Sequence, residues 1–276
     1  MNIFRETSEL RKNSRQRLGR LHPYVLKRKW YSYRRFKVNL CIWASSFLVY
    51  FFVKLKVRAN CVTLLYILSG ICGGVLLCFR SHTLIYTALL IFYFRMVLDW
   101  SDGWVARINN EASISGQIFD SYSALFGWVP LWVGLSFYLA HYTSAIFYYL
   151  APIIPALFTV DLYANARETI IYHQILQRDN DIKADDAGQR GEITGESKIR
   201  RLKRVIDMLF AHNTSTVDFM LLLVFVELLT NLKIVWVYYL GFLSWQVIIF
   251  IARLALLIRG GWAEKETRKL RKIIYG

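Results

Sequence analysis

Three carboxylates, Asp99, Asp102 and Asp120, sit in the stretch DWSDGWVARINNEASISGQIFDSYSA, residues 99–124, with long apolar runs on both sides. A carboxylate within hydrocarbon costs about 2.5–3.5 kcal/mol even on lenient insertion scales. Several together also repel one another, so positive charge must offset them. Arg95 and Arg107 supply part of it, and oxygen-rich clusters also attract hard divalent cations such as Mg²⁺, Mn²⁺ or Ca²⁺. Asp99 and Asp102 share one face of a helix by their spacing of three. Asp120 opens the next apolar segment, and the short polar connection 107–115 brings that segment back beside the first, so that the three carboxylates can converge. Gly103 removes a side chain where a ligand or another backbone approaches. Ala106 is similarly small, and Gly116 repeats the device. Arg107 offers a planar donor fork suited to phosphate oxygens. An acidic cluster, a phosphate-binding cation and a gap at the lipid boundary together point to diphosphate chemistry on a lipid substrate.

The elements that position these groups are apolar. Hydrophobic residues make up 55% of the 276-residue chain and fall in long blocks, the pattern of a membrane protein. The predicted fold is all-α, a polytopic membrane helical bundle with six transmembrane helices preceded by an interfacial amphipathic helix. The spans are read at 61–79, 83–106, 117–140, 144–166, 215–232 and 234–258. The earlier run NLCIWASSFLVYFFVKL, residues 39–55, is broken by small polar residues and closed by Lys54, Lys56 and Arg58, so it is expected to lie in the interface. The organisation is a basic cytoplasmic arm 1–38, an interfacial helix 39–58, a six-span catalytic domain 59–258 with a cytoplasmic loop 167–212, and a basic cytoplasmic tail 259–276.

Lys and Arg fix the orientation. Residues 1–37 hold twelve of them against Glu6 and Glu9, and the loop 167–212 holds nine, whereas the opposite side has little beyond Arg80 and Lys233. The positive-inside bias therefore places both termini and the site on the cytoplasmic side. A seventh span at 39–55 would put the basic arm on the wrong side. The charged start of the chain reads as having no secretory signal.

Several function classes are excluded or weakened. The net charge of +16 lies beside apolar blocks instead of forming a basic domain, which favours an anionic membrane lipid, at about 1 kcal/mol per near-surface cation, over nucleic acid. Cys41, Cys61, Cys72 and Cys78 have no CxxC spacing and the five histidines stand far apart, against a disulfide framework or a zinc site. Asp185 and Asp186 read as solvated loop charge. Asp161 and Glu227, inside the fourth and fifth spans, line the cavity or pair with neighbours such as Arg253. A transporter or channel would spread its carboxylates through the membrane depth, whereas these cluster near one face.

On these residues the chain resembles the CDP-alcohol phosphotransferases, also called CDP-alcohol phosphatidyltransferases. Asp99-x-x-Asp102-Gly103-x-x-Ala106-Arg107, eight residues, then Gly116-x-x-x-Asp120 is similar to that family's signature in every gap. The resemblance covers about residues 59 to 258. ANCVT, residues 59–63, resembles the family's Pro-Asn-x-x-Thr opening of the first span, with Asn60 and Thr63 kept and Ala59 in place of proline. It implies that Asp99, Asp102 and Asp120 hold divalent metal, Mg²⁺ or Mn²⁺, over the diphosphate of CDP-diacylglycerol or another CDP-alcohol. It implies that Asn60, Thr63, Gly103, Ala106, Arg107 and Gly116 shape the nucleotide site, that an acceptor hydroxyl attacks and CMP leaves, and that the chain forms a homodimer. A phosphorylated acceptor would find extra cations at Arg167 and from Lys198 to Arg204. Intramembrane prenyl transfer also uses aspartate-rich helices, but the Gly-x-x-Ala-Arg after Asp102 fits it poorly.

The signature fails only at its last position, Ala124, where the family's aspartate is implied to take the acceptor's proton and to help hold a second metal. Two metals per site are thus expected only with aspartate restored at 124. Neighbouring Ser123 is a poor base and no anionic ligand. Loss of a general base costs about 10²–10⁴-fold in rate. A single departure among otherwise retained positions favours deliberate inactivation of an active parent. The alternatives are a natural non-catalytic CDP-lipid-binding pseudoenzyme and an active enzyme with a different base.

Overall fold

The computed structural model describes residues 8, 9, 12, 32–111, 113–158 and 214–258. The rest of the basic arm, Asp161 with the remainder of the fourth segment, the loop 167–212 with Arg167, Asp185 and Asp186, and the tail from 259 lie outside the described residues. So do the side chains of Ala124 and Arg253.

The described chain is helical and contains no strand, as lipid requires of a backbone that must satisfy its own hydrogen bonds. The helices are α1 (Ser32–Lys54), α2 (Ala59–Leu77), α3 (His82–Ile108), α4 (Ile114–Tyr142), α5 (Thr214–Thr230) and α6 (Val235–Ile258). Segments Phe36–Lys54, Ala59–Leu77, His82–Ile108 and Val235–Ala252 are long and apolar enough to cross a membrane. The expected span 144–166 does not start as one α-helix. Ala145–Leu150 is a 3-10 segment, and α-helix resumes at 153. Pro152 explains the break, since it lacks an N–H to continue a helix but suits the start of a new one.

The chain divides into two compact units. The first comprises Met1–Cys72 and Leu90–Gly127. Within it α3 runs antiparallel to α2, as the contacts Tyr66 with Arg95 and Thr63 with Asp102 require. Paired positions Asn60 with Gly116 and Gly70 with Gly127 set α2 and α4 in the same direction. A Cβ on Gly70 would lie 2.8 Å from the Gly127 backbone, so the two helices touch main chain to main chain there. The small residues of GICGG, residues 70–74, thus begin their work inside one subunit.

Helix α1, the segment expected to lie in the interface, packs along α3. Lys37 lies 4.6 Å over the Tyr93 ring, Ser45 Oγ donates to the Val97 carbonyl at 2.9 Å, and the Asn109 amide donates to the Val57 carbonyl at 3.3 Å. These contacts follow α3 over sixteen residues, roughly 24 Å of helix at 1.5 Å per residue. Helix α1 therefore runs beside α3 over that length. The cause is a stripe of Val38, Ile42, Val49 and Val53, which packs with Val62, Trp104 and Val105. Phe36, Trp43, Phe47 and Phe51 face outward along the opposite stripe. Small polar Ser45 does not mark a wet face, because it is fully buried with its hydroxyl on the α3 backbone.

The second unit comprises Gly73–Leu89 and Trp128–Gly276. A Cβ on Gly74 would fall 2.5 Å from the Pro130 carbonyl oxygen, and one on Gly134 would fall 2.5 Å from that of Gly74, another close approach of α2 and α4. Trp132 stacks on Phe242 with centroids 3.6 Å apart, and Ser136 hydrogen-bonds the Tyr239 hydroxyl. Glu227 is buried, and its role is structural. It accepts from the Tyr138 hydroxyl at 3.0 Å and from the backbone N–H groups of Ile234 and Val235 at 2.8 Å each, closing the start of α6.

Candidate active site

The site is built where α3 ends and α4 begins, within the first unit. Helix α3 closes in a Schellman motif: Asn110 takes φ 56°, its N–H donates to the Arg107 carbonyl, and the Glu111 N–H donates to the Ala106 carbonyl at 2.8 Å. Asparagine tolerates this left-handed conformation. Helix α1 ends in the same way around Lys56, at φ 55°, with Val57 N–H donating to the Phe52 carbonyl. The Asn109 to Val57 bond ties the two turns together. Ser113 then caps α4, its hydroxyl accepting from the Gly116 N–H at 3.1 Å.

These turns enclose a cavity of about 180 Å³. The structure brings Asn60 and Thr63 of α2, Asp102, Gly103, Ala106 and Arg107 of α3, and Gly116 and Asp120 of α4 around it. Ala59, Glu111 and Ser113 complete the lining. Asp99 is half-buried and does not line it. Ala124 lies in α4, one helical turn beyond Asp120.

Each motif residue acquires a local reason. Asp102 is 5% exposed, and its Oδ2 accepts from the Thr63 hydroxyl at 2.8 Å, so α2 fixes the orientation of the acid on α3. A Cβ on Gly116 would meet Ser113 Oγ at 3.1 Å, a tight fit. Arg107 and Asp120 are exposed on the cavity wall. Ser123 is excluded as a base, since it is fully buried and donates to the Asp120 carbonyl at 2.6 Å.

The three aspartates lie within electrostatic reach of one another, and Asp99 also feels Arg95. Arg95 is 1% exposed. It donates to the Gly127 carbonyl at 2.6 Å and stacks 3.8 Å over the Tyr66 ring. A Cβ on Gly127 would lie 1.5 Å from Arg95 Nη2, so only glycine leaves room for the guanidinium. Among the described residues no group of three or more His, Cys, Asp or Glu side chains is arrayed to hold a metal. The donor chemistry nevertheless fits Mg²⁺ or Mn²⁺, because such ions commonly take one or two carboxylates and complete their shell with water and substrate phosphate.

Sequence reasoning missed Glu111 and Gly127. Glu111 Oε2 accepts from the Ala59 N–H at 2.9 Å, the first turn of α2. A lone acid in a polar connection carries no periodic signal, and only the Schellman turn aims it at α2.

The described chain thus places acidic side chains and an arginine around one cavity at the junction of two apolar helices, a lining whose donor fork suits phosphate oxygens. Residues 56–189 match the family model described as CDP-alcohol phosphatidyltransferase, and the chain carries a domain of that family over those residues. The match starts three residues before the expected 59 and ends well before 258. Neither the curated proteins nor the solved structures give a significant match.

Proposed function

We propose that this chain transfers a phosphatidyl or phospho-alcohol group from a CDP-linked donor, CDP-diacylglycerol in our reading, to an acceptor hydroxyl, releasing CMP. The observation that carries the reading is the single cavity in which Arg107 shares a wall with Asp102 and Asp120, inside the segment that matches the family. At about 180 Å³ it has the volume of roughly six waters at about 30 Å³ each. That is below the roughly 300 Å³ at which pockets enclose a whole ligand, so it receives the diphosphate while nucleoside and acyl chains lie outside.

Arg107 takes diphosphate oxygens in its donor fork, and Gly103 and Gly116 keep the approach open. Thr63 holds Asp102 in place. Asp99, Asp102 and Asp120 are the residues that would hold divalent metal, which when bound neutralises the diphosphate and the charge developing on departing CMP. With Ala124 in place of a carboxylate, the chain turns over about 10²–10⁴-fold more slowly than a form with aspartate there. The domain is a six-span unit with this end toward the cytoplasm, supported by Lys54, Lys56 and Arg58 gathered at the same end.

Binding tests the reading without requiring turnover. Radiolabelled CDP-diacylglycerol should bind the purified chain in nanodiscs with Mg²⁺ and bind at least tenfold more weakly after Arg107→Ala or with EDTA. Binding indifferent to both changes would overturn it.

A further inference from the structure

The cavity holds an acid that the motif does not account for. Glu111 lines the same wall system as Asp102 and Asp120, yet it comes from the loop after α3. Two backbone features hold it there. Its own N–H is fixed to the Ala106 carbonyl, and its Oε2 is fixed by the Ala59 N–H. Among the described residues nothing bonds its other oxygen, Oε1, which leaves one lone-pair face of a positioned carboxylate for a ligand.

Its neighbours are otherwise committed. Asp102, which receives the Thr63 hydroxyl, and Asp120 are the cavity acids that would hold metal in the reading above, and position 124 has no carboxylate. With those two acids given to metal, Glu111 is, among the described residues, the remaining carboxylate that lines the cavity.

We infer that Glu111 is a catalytic residue, the general base for the turnover this chain retains with Ala124 in place. The inference rests on the transferase reading above. The acceptor hydroxyl oxygen forms its bond to the phosphorus that carries the alcohol, and the phosphoanhydride bond breaks. CMP leaves with that electron pair, and the hydroxyl proton passes to Glu111 Oε1 and then to solvent. Holding Oε2 on a backbone donor fixes the direction of Oε1, so the base costs little to orient when the acceptor arrives.

The test separates base from helix cap. Glu111→Gln keeps an amide oxygen that accepts from the Ala59 N–H but cannot take the proton. CMP release from CDP-diacylglycerol with Mg²⁺ is measured for the native chain, E111Q, A124D and the A124D/E111Q double variant. The inference expects E111Q to lower CMP release at least tenfold in the native chain, and to cost at least tenfold less in the A124D form. Formate should restore release to Glu111→Ala, which a lost cap alone would not allow. Equal release by the native chain and E111Q, at whatever level, overturns the inference, as does an equal loss in both backgrounds. An A124D form that releases no CMP instead refutes the transferase reading itself, so the two failures are distinguishable.

Discussion

Gly127 and Arg95 allow a prediction whose sign opposes helix propensity. In a helix interior glycine is about 1 kcal/mol worse than alanine, so Gly127→Ala on propensity alone should stabilise α4. The structure demands the reverse. The added Cβ would lie 1.5 Å from Arg95 Nη2 and 2.3 Å from its Cζ, and Arg95 is 1% exposed, with little room to retreat. Displacing the guanidinium breaks its 2.6 Å bond to the Gly127 carbonyl and its contact with the Tyr66 ring. A hydrogen bond from a charged donor is worth about 1.5–3 kcal/mol, and a desolvated cation–π contact about 2 kcal/mol. Allowing for non-additivity and the propensity gain, Gly127→Ala should destabilise by roughly 2–4 kcal/mol. Reversible unfolding in mixed micelles measures it. Arg95→Met removes the obstructing group, so adding Gly127→Ala to that variant should cost under about 1 kcal/mol. A Gly127→Ala protein as stable as wild type, or the same cost in both backgrounds, would refute the packing argument.

Three further outcomes follow from named contacts. Thr63→Val deletes the hydroxyl that donates to buried Asp102 and should cost about 1.5–3 kcal/mol in the same unfolding assay, with Thr63→Ser recovering most of it. Glu227→Leu leaves the Tyr138 hydroxyl and two N–H groups at the start of α6 without their acceptor, so it should destabilise by more than about 3 kcal/mol, whereas Glu227→Gln should lose less. Replacing Lys54, Lys56 and Arg58 by glutamine should weaken retention of phosphatidylglycerol over phosphatidylcholine, read by native mass spectrometry, at up to about 1 kcal/mol per cation. Lys56 holds a left-handed backbone that glycine would adopt more cheaply, which makes Lys56→Gly a stabilising control.

Helix positions were legible because long apolar runs in lipid leave the backbone one solution. The starts of α3, α5 and α6 fall within a residue or so of the predicted spans. That most motif residues meet around one cavity was legible because their fixed spacing runs along two joined helices. Three things were not legible. The course of α1 depends on which face packs, and Ser45 reads as polar although it satisfies itself on the α3 backbone. Hydropathy alone makes 144–166 a single span, and it is blind to Pro152, which breaks the helix. Glu227 reads from the sequence as lining the cavity or pairing with a neighbour such as Arg253, because its donors, the N–H groups of Ile234 and Val235, are in place only once the α5–α6 turn is folded.

The account turns on whether this cavity performs phosphoryl transfer from a CDP-alcohol. The most direct measurement is CMP release from CDP-diacylglycerol by the native chain and by Ala124→Asp, in nanodiscs with Mg²⁺ or Mn²⁺ and a panel of hydroxyl acceptors. The account predicts a rise of about 10²–10⁴-fold on restoring the carboxylate, abolished by Asp102→Asn. No release of CMP from Ala124→Asp with any CDP-alcohol, in protein that remains folded, would contradict it.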